Sequence, residues 1–142
     1  SLISVVWRDE RLLRDSWVVV PVPLHPKRLR ERGFNQSREI AVEMMRCAPP
    51  GIELEMCDLL RRTRHTVRQA QLDREDRLRN PDGAFELKSY RLVKRLEDEE
   101  KELNLLLVDD VMTTGSTVSE CASVLREALE PDRIAAVSVL RG

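Results

Sequence analysis

The sequence predicts one α/β domain built around a parallel sheet, and two observations carry this prediction. The 142 residues are 42% hydrophobic, which is enough apolar material for one compact core and too little chain for two ordinary domains. Residues 103–108 and 134–140 are mostly apolar runs of strand length, and residues 116–130 between them carry apolar side chains at helical spacing. Strand, helix and strand in this order make a βαβ unit, which favours parallel strands and a right-handed crossover.

The first half of the chain supplies further elements. Residues 17–20 predict a buried strand, which leaves its sheet at Pro21 and Pro23 because proline has no N–H to donate. Residues 35–46 have helical apolar spacing and stop before Ala-Pro-Pro-Gly, which predicts a helix. Capping of this helix explains Asn35 about as well as ligand binding does. Weaker patterns predict a strand over 52–60, a helix over 71–79 and a short strand over 84–87.

Charge and hydropathy exclude several classes of protein. The 24 Lys and Arg residues balance 25 Asp and Glu residues to a net charge of -1, so the chain as a whole is not a basic nucleic-acid coat. No apolar run approaches the roughly 20 residues of a membrane-spanning helix. No stretch has the charged and then apolar order of a signal peptide. We therefore expect a soluble, cytoplasmic protein.

Two basic segments nevertheless lie within this neutral chain. Residues 25–38 contain five Lys or Arg and one acid, and residues 61–79 contain seven Arg and three acids. Any electrostatic attraction of a ligand must therefore be local. A solvated surface explains Arg28, Arg30 and Arg32 about as well as a binding role does.

Other side chains are expected to be structural. Phe34 and Phe85 are expected in the core, because phenylalanine is most often buried. Cys47, Cys57 and Cys121 are odd in number and widely spaced, so they offer neither a disulfide framework nor a C-x-x-C metal clip. We expect buried or inert thiols, with a catalytic cysteine as the remote alternative.

The most informative segment is residues 105–117, Leu-Leu-Leu-Val-Asp-Asp-Val-Met-Thr-Thr-Gly-Ser-Thr. An apolar strand ends there in two carboxylates, and hydroxyl residues surround a glycine where a helix begins. Backbone N–H groups at a helix N-terminus are unsatisfied and attract anions, and the hydroxyls add donors. The residues predicted to bind a phosphate are Thr113, Thr114, Gly115, Ser116 and Thr117.

The carboxylates of Asp109 and Asp110 would repel a phosphate, yet they suit a ligand that also carries hydroxyls. Acceptors for two vicinal hydroxyls beside a phosphate loop describe a ribose 5-phosphate. The location agrees, because open α/β sheets bind ligands beyond the carboxyl ends of their strands. The alternative is that the carboxylates only cap a helix and that the hydroxyl residues fill a turn.

All thirteen positions resemble the phosphoribosyl-pyrophosphate (PRPP) signature of the type I phosphoribosyltransferases. The resemblance implies the parallel-sheet, Rossmann-like fold of that superfamily. It also implies that Asp109 and Asp110 are the catalytic pair that holds the ribose hydroxyls, and that residues 113–117 bind the 5′-phosphate. A Mg²⁺ ion is implied together with PRPP.

A second resemblance covers more of the chain. Residues 20–36 (VPVPLHPKRLRERGFNQ), residues 62–80 (R-T-R-x-T-x-x-Q-x-x-L-x-R-x-x-R-x-x-N) and residues 83–85 (GAF) are similar to the competence protein ComF family. With the PRPP signature, the similarity runs from about residue 17 to the C-terminus. Members of that family commonly carry a Cys-rich zinc module. This chain lacks that cysteine pattern, so we assign it no metal ligand.

The resemblance also implies how pyrophosphate would be bound. It places a pyrophosphate loop after the first strand and an arginine-rich lid over 61–79, which we expect to be mobile without ligand and to exclude water on closing. The residues implied to contact pyrophosphate are Val22, Pro23, Leu24, His25, Arg64 and Arg68. Residues 88–102 are charged and few, so no separate hood that would recognise a nucleobase is expected.

These observations favour a ComF-type phosphoribosyltransferase that binds Mg²⁺ and PRPP and transfers the phosphoribosyl group to an unidentified acceptor, with pyrophosphate release. The alternative is a non-catalytic, PRPP-responsive or single-stranded-DNA-associated module in competence and DNA uptake, with DNA or a competence-machinery protein as partner. The scarcity of aromatic residues, with two Trp and one Tyr, weakens a nucleic-acid platform.

Overall fold

Four parallel strands form the centre of the fold. The computed structural model describes residues 16–24, 26–63, 85–112 and 116–141. In chain order its elements are β1 (Trp17–Pro21), α1 (Pro26–Arg32), α2 (Gln36–Arg46), β2 (Leu54–Met56), β3 (Leu60–Arg62), β4 (Phe85–Leu87), α3 (Tyr90–Asp98), β5 (Asn104–Met112), α4 (Ser116–Leu129) and β6 (Arg133–Arg141). The sheet order is β2-β1-β5-β6 and each pair is parallel, which confirms the predicted α/β class.

Helices cover both faces of this sheet. Alternate residues of a strand point to opposite faces, and β1 and β5 are apolar on both because both faces are buried. One core contains α3 and α4, and its residues from β1 and β5 are Val18, Val20, Leu105 and Leu107. The other core contains α2, and its residues from the same strands are Trp17, Val19, Leu106 and Val108. The result is a three-layer arrangement with α2 on one side and α3 and α4 on the other.

A second, antiparallel pair of strands extends the first core. Strands β3 and β4 pair with Leu60 opposite Leu87 and Arg62 opposite Phe85. Leu60 and Phe85 are buried, and the Arg62 guanidinium lies 5.2 Å from the centroid of the Phe85 ring. The expectation that Phe85 belongs to the core is confirmed.

The single strand predicted over 52–60 is wrong. The structure divides it into β2, which ends at Met56, and β3, which begins at Leu60. Between them the amide of Leu59 donates a hydrogen bond to the carbonyl oxygen of Cys57 at 3.1 Å. This local contact turns the chain out of the parallel sheet and toward β4.

Strand β5 is longer than predicted, and Phe34 is not a core residue. Pairing with β6 continues to Met112 opposite Arg141, so the strand runs four residues beyond the predicted end at residue 108 and includes both aspartates. Phe34 is 49% exposed because it follows Gly33, whose φ of +80° turns the chain between α1 and α2. Helices α1 and α3 were not predicted.

Two of the three thiols are buried, as expected. Cys57 and Cys121 are buried, whereas Cys47, just after α2, is exposed. In the ranges that the structure covers, no helix is both long and apolar enough to cross a membrane. The predicted helix over 71–79 and the greater part of the predicted lid lie outside the described residues.

Candidate functional site

The candidate site lies where the connections of the parallel sheet diverge. From β1 the chain leads to β2 on one side, and from β5 it leads to β6 on the other. Neighbouring strands whose connections diverge leave a crevice at their carboxyl ends, and α/β proteins bind ligands there. The crevice between β1 and β5 is therefore the place in this sheet where a ligand is expected.

A backbone hydrogen bond brings two of the predicted site segments together at this crevice. The amide of Val22 donates to the carbonyl oxygen of Val108 at 2.8 Å. Val22 begins the predicted pyrophosphate loop, and Val108 directly precedes Asp109. Val22 is buried, while Pro23 and Leu24 are partly exposed.

Asp109 is held in a largely buried position on β5, directly after Val108, the last residue of that strand that pairs with β1. It is 8% exposed, and its Oδ1 accepts hydrogen bonds from the Ser37 hydroxyl at 3.5 Å and from the Asp110 amide at 2.9 Å. Burial, followed by the adjacent Asp110 carboxyl, raises the pKa of Asp109 to about 6 from its ordinary 3.8. Asp110 itself is partly exposed. The pair thus offers carboxylate oxygens for ligand hydroxyls, and burial disfavours the charged form of Asp109.

The N-terminus of α4 follows the aspartates at the same edge of the sheet. The helix begins at Ser116 and has 14 residues, and Thr117 in its first turn is partly exposed. Unsatisfied amides and the helix dipole make such a terminus favourable for an anion. The structure therefore confirms that a helix begins where the phosphate loop was predicted to end.

Two polar residues at the start of α2 also lie at the site: Ser37, which sequence reasoning did not consider, and Asn35, for which it left capping and ligand binding open. Asn35 is the N-cap of α2, and its Oδ1 accepts a hydrogen bond from the Ser37 amide at 3.0 Å. The Asn35 Nδ2 also donates to the carbonyl oxygen of Val22 at 3.3 Å. Ser37 is 4% exposed and donates to Asp109, as described above. The sequence around Ser37 indicates only a helix start. Its contact with Asp109 joins distant parts of the chain, and such contacts leave no pattern in the local sequence.

Cys121 lies on α4 beneath the aspartates. Burial, followed by the negative charges of Asp109 and Glu120, raises the pKa of the Cys121 thiol to about 12. A thiol with such a pKa stays protonated at neutral pH and is a poor nucleophile. This supports the structural interpretation of Cys121.

Several predicted site residues cannot be located in this arrangement. The ones that lie outside the described residues are His25, Arg64, Arg68, Thr113, Thr114 and Gly115. Their roles stay predictions. Among the residues that the structure does describe, no group of three or more His, Cys, Asp or Glu side chains is placed to hold a metal ion.

Comparison with known proteins agrees with the ComF resemblance. No protein-family model matches the chain. The chain is 33% identical over 110 residues to competence protein F of Haemophilus influenzae, an alignment that covers 77% of this chain and 44% of that protein. It is 37% identical over 107 residues to DNA utilization protein YhgH of Escherichia coli K12, covering 75% of this chain and 42% of that protein. These similarities support membership of the ComF family.

A more distant ComF-family relative aligns with nearly the whole chain. Competence protein ComFC of Bacillus subtilis is 27% identical over 146 residues, covering 99% of this chain and 49% of that protein. The chain thus spans somewhat less than half the length of these three relatives.

Proposed function

We propose that the chain binds PRPP with Mg²⁺ in the crevice between β1 and β5 and transfers its phosphoribosyl group to an acceptor, with release of pyrophosphate. The observation that carries this proposal is the Val22 to Val108 hydrogen bond. It sets the segment implied to bind pyrophosphate directly beside the acidic pair at the diverging point of the sheet. A ligand with a ribose between two phosphate groups fits this order of segments, in which the acidic pair lies between the predicted pyrophosphate loop and the predicted phosphate loop.

Each part of PRPP has a segment of suitable chemistry. The carboxylates of Asp109 and Asp110 accept hydrogen bonds from the two ribose hydroxyls, and these charge-assisted bonds are stronger than neutral ones. The 5′-phosphate binds at the start of α4, where Ser116 and Thr117 complete the predicted loop. The buried position of Asp109 strengthens its hydrogen bonds because water is excluded.

The transfer step separates charge, and the chain's residues act on that charge. The bond from C1 of the ribose to pyrophosphate breaks, and pyrophosphate leaves with the electron pair. The acceptor supplies the electron pair of the new bond to C1 and gives up a proton. The acidic pair orients the ribose while positive charge develops on it. Arg64 and Arg68 would contact the departing pyrophosphate, and a Mg²⁺ ion carried in with the substrate would neutralise part of its charge.

Titration calorimetry with three ligands tests this assignment. We expect affinity to rise from inorganic phosphate to ribose 5-phosphate to PRPP with Mg²⁺, because each ligand adds a group that another segment binds. PRPP affinity should fall in excess EDTA. Ribose 5-phosphate that binds no better than phosphate would contradict the ribose role of Asp109 and Asp110. A pyrophosphate-release assay across candidate acceptors then tests turnover.

A second candidate function has its own supporting observations. The relatives are named as competence and DNA utilization proteins, which supports a ComF-type role in competence. Leu29 and Phe34 are 40% and 49% exposed, and the exposed Arg30 and Arg32 lie in the same short segment. An exposed aromatic ring beside arginines can stack on a base while the cations contact phosphates. A non-catalytic, PRPP-responsive or single-stranded-DNA-associated module would use this surface.

Fluorescence anisotropy with a labelled single-stranded oligonucleotide separates the two candidates. If the second is correct, Phe34→Ala should weaken binding, and Arg30→Ala with Arg32→Ala should flatten its salt dependence by about one counterion per arginine. Tyr90→Ala is a matched control, because Tyr90 is 80% exposed but lies on α3. Equal losses for Phe34→Ala and Tyr90→Ala would contradict a specific nucleic-acid surface.

A further inference from the structure

The start of α2 joins the ends of the two central strands through a ring of hydrogen bonds. Asn35 Nδ2 donates to the Val22 carbonyl oxygen at 3.3 Å, and Asn35 Oδ1 accepts from the Ser37 amide at 3.0 Å. The Ser37 hydroxyl donates to Asp109 Oδ1 at 3.5 Å. The Val22 amide donates to the carbonyl oxygen of Val108 at 2.8 Å. The peptide link between Val108 and Asp109 closes the hydrogen-bond ring.

Helix capping alone does not explain this ring. A cap needs a side-chain oxygen that accepts from a backbone amide in the first turn, and Asn35 Oδ1 meets that need through Ser37. The Asn35 Nδ2 and the Ser37 hydroxyl are not needed for capping, yet both contact strand residues outside the helix. These two additional contacts connect α2 to β1 and β5.

Burial sets Ser37 apart from an ordinary helix serine. Of the three polar or charged side chains that are buried in the described part of the chain, two are Ser37 and Asp109, which contact each other. The third, Asn104, lies at the opposite end of β5. A buried hydroxyl beside a carboxyl holds it in one orientation, because rotating the carboxyl away would leave a buried donor unsatisfied.

We propose that Asn35 and Ser37 are positioning residues that couple the predicted pyrophosphate loop to the ribose-binding carboxylate of Asp109. Displacement of Val22 by pyrophosphate would be transmitted through Asn35 and Ser37 to Asp109. Their effect on ligands rests on the proposed function, whereas the ring is made of the chain's own atoms alone. The Ser37 hydroxyl and the Asp110 amide both donate to Oδ1 of Asp109, so these two contacts fix the direction in which Oδ2 points.

Amide hydrogen exchange in the ligand-free protein tests the coupling. Asn35→Asp keeps a capping oxygen but loses the donor to Val22. We expect it to accelerate exchange of the Val22 amide and also of the Asp110 amide, which donates to Asp109. Ser37→Ala should likewise accelerate both amides. The matched control is Ser123→Ala, because Ser123 is also a helix serine with a hydrogen-bonded hydroxyl, but it is exposed on α4 and donates to the Ser119 carbonyl oxygen of that helix. If each variant affects only the nearer amide, the coupling is refuted.

Ligand titrations then distinguish positioning from a purely structural role. Ser37→Ala should weaken the binding of ribose 5-phosphate and of PRPP by the same factor, about 5-fold for one hydrogen bond. It should leave the affinity for inorganic phosphate unchanged. Ser37→Thr keeps a hydroxyl and should restore binding. Asn35→Asp should weaken the binding of PRPP more than that of ribose 5-phosphate, since only PRPP occupies the loop at Val22.

The outcomes separate this inference from the proposed function. Wild-type protein that binds neither ribose 5-phosphate nor PRPP would overturn the proposed function, while the exchange data would still decide whether the ring couples the two strands. If the wild-type protein binds PRPP, and Ser37→Ala and Asn35→Asp each bind all three ligands as tightly as wild type does, the positioning role alone is overturned. Ser89→Ala removes the N-cap of α3 and controls for loss of a helix cap away from the site.

Discussion

The guanidinium of Arg133 lies 5.2 Å from the centroid of the Trp17 ring, and the two residues begin β6 and β1 on either side of β5. Asn104, at the start of β5, accepts a hydrogen bond from Arg133 Nε at 3.1 Å and donates to the Ser16 carbonyl oxygen at 3.1 Å. This polar network ties together the amino ends of three strands. The candidate site lies at the opposite, carboxyl ends.

Asn104→Ala should therefore destabilise the fold without weakening ligand binding. The substitution removes the donor to the Ser16 carbonyl oxygen and one acceptor of Arg133, which keeps its ion pair with Glu102. Loss of these buried hydrogen bonds costs about 1–3 kcal/mol of unfolding free energy. Urea unfolding measures that loss, and calorimetry measures PRPP affinity. Unchanged stability combined with weaker PRPP binding would contradict the separation of the two ends of the sheet.

The double change Asp109→Asn with Asp110→Asn should weaken the binding of PRPP and ribose 5-phosphate but not that of inorganic phosphate. Loss of two charge-assisted hydrogen-bond acceptors costs on the order of 10- to 100-fold in affinity. The fold should persist, because an amide has the shape of the carboxyl it replaces. A fall in melting temperature would show instead that the carboxylates are structural.

The stability contribution of Asp109 should depend on pH in a defined direction. Its pKa is raised to about 6 in the folded protein, from an ordinary 3.8, so the folded state holds the proton more tightly than the unfolded chain does. Its contribution is most favourable below about pH 4 and is lost as pH rises through about 6. Asp109→Asn removes this dependence, so it should gain stability relative to wild type between pH 4 and 7. A difference that stays constant over that range would contradict the raised pKa.

Thiol reactivity should distinguish the three cysteines. Cys47 is exposed and should react with Ellman's reagent in the native protein. Burial is the main cause of the raised pKa of Cys57 and of Cys121, so both thiols should stay unreactive until the protein unfolds. We expect one reactive thiol in buffer and three in urea, and none in buffer after Cys47→Ser. More than one fast thiol in the native wild type would refute the burial assignment.

The arginine-rich segment gives a prediction about the leaving group. The structure places Arg61 and Arg62 in β3, so a lid would begin after them. If residues 64–79 close over pyrophosphate, Arg64→Ala with Arg68→Ala should lower pyrophosphate release more than it weakens binding of ribose 5-phosphate, because those contacts reach the leaving group alone. Arg126→Ala, on the exposed side of α4, controls for loss of charge. Hydrogen exchange across the segment should slow when PRPP is added. Unchanged exchange would remove the lid from the mechanism.

The sequence predicted the elements whose apolar pattern is strong. Strands β1, β5 and β6 are apolar runs, and helices α2 and α4 have clear helical spacing, so their positions were correct to within a few residues. Helix α1 was missed because Leu29 is its only apolar residue apart from the initial proline. Helix α3 carries Val93 and Leu96 on its buried side, but five charged residues obscured this signal.

The candidate site was predicted in part for a similar reason. Asp109 and Asp110 stand out because two carboxylates at the end of an apolar strand are unusual. Ser37 gave no signal, because its contact with Asp109 spans 72 positions of the chain. The end of β5 was also misjudged, since the strand continues wherever β6 offers a partner and polar residues do not stop that pairing.

The parallel pairing of β1 with β5 also determines when the crevice can form during synthesis. Val18 pairs with Leu105, so one of the two neighbours of β1 leaves the ribosome long after β1 itself, whereas the other neighbour, β2, is made much earlier. Contacts between such distant segments form slowly. A nascent chain that ends before β5 lacks both the acidic pair and the Val108 carbonyl oxygen. The binding crevice is thus completed late, and a bound ligand would stabilise only chains whose synthesis has passed β5.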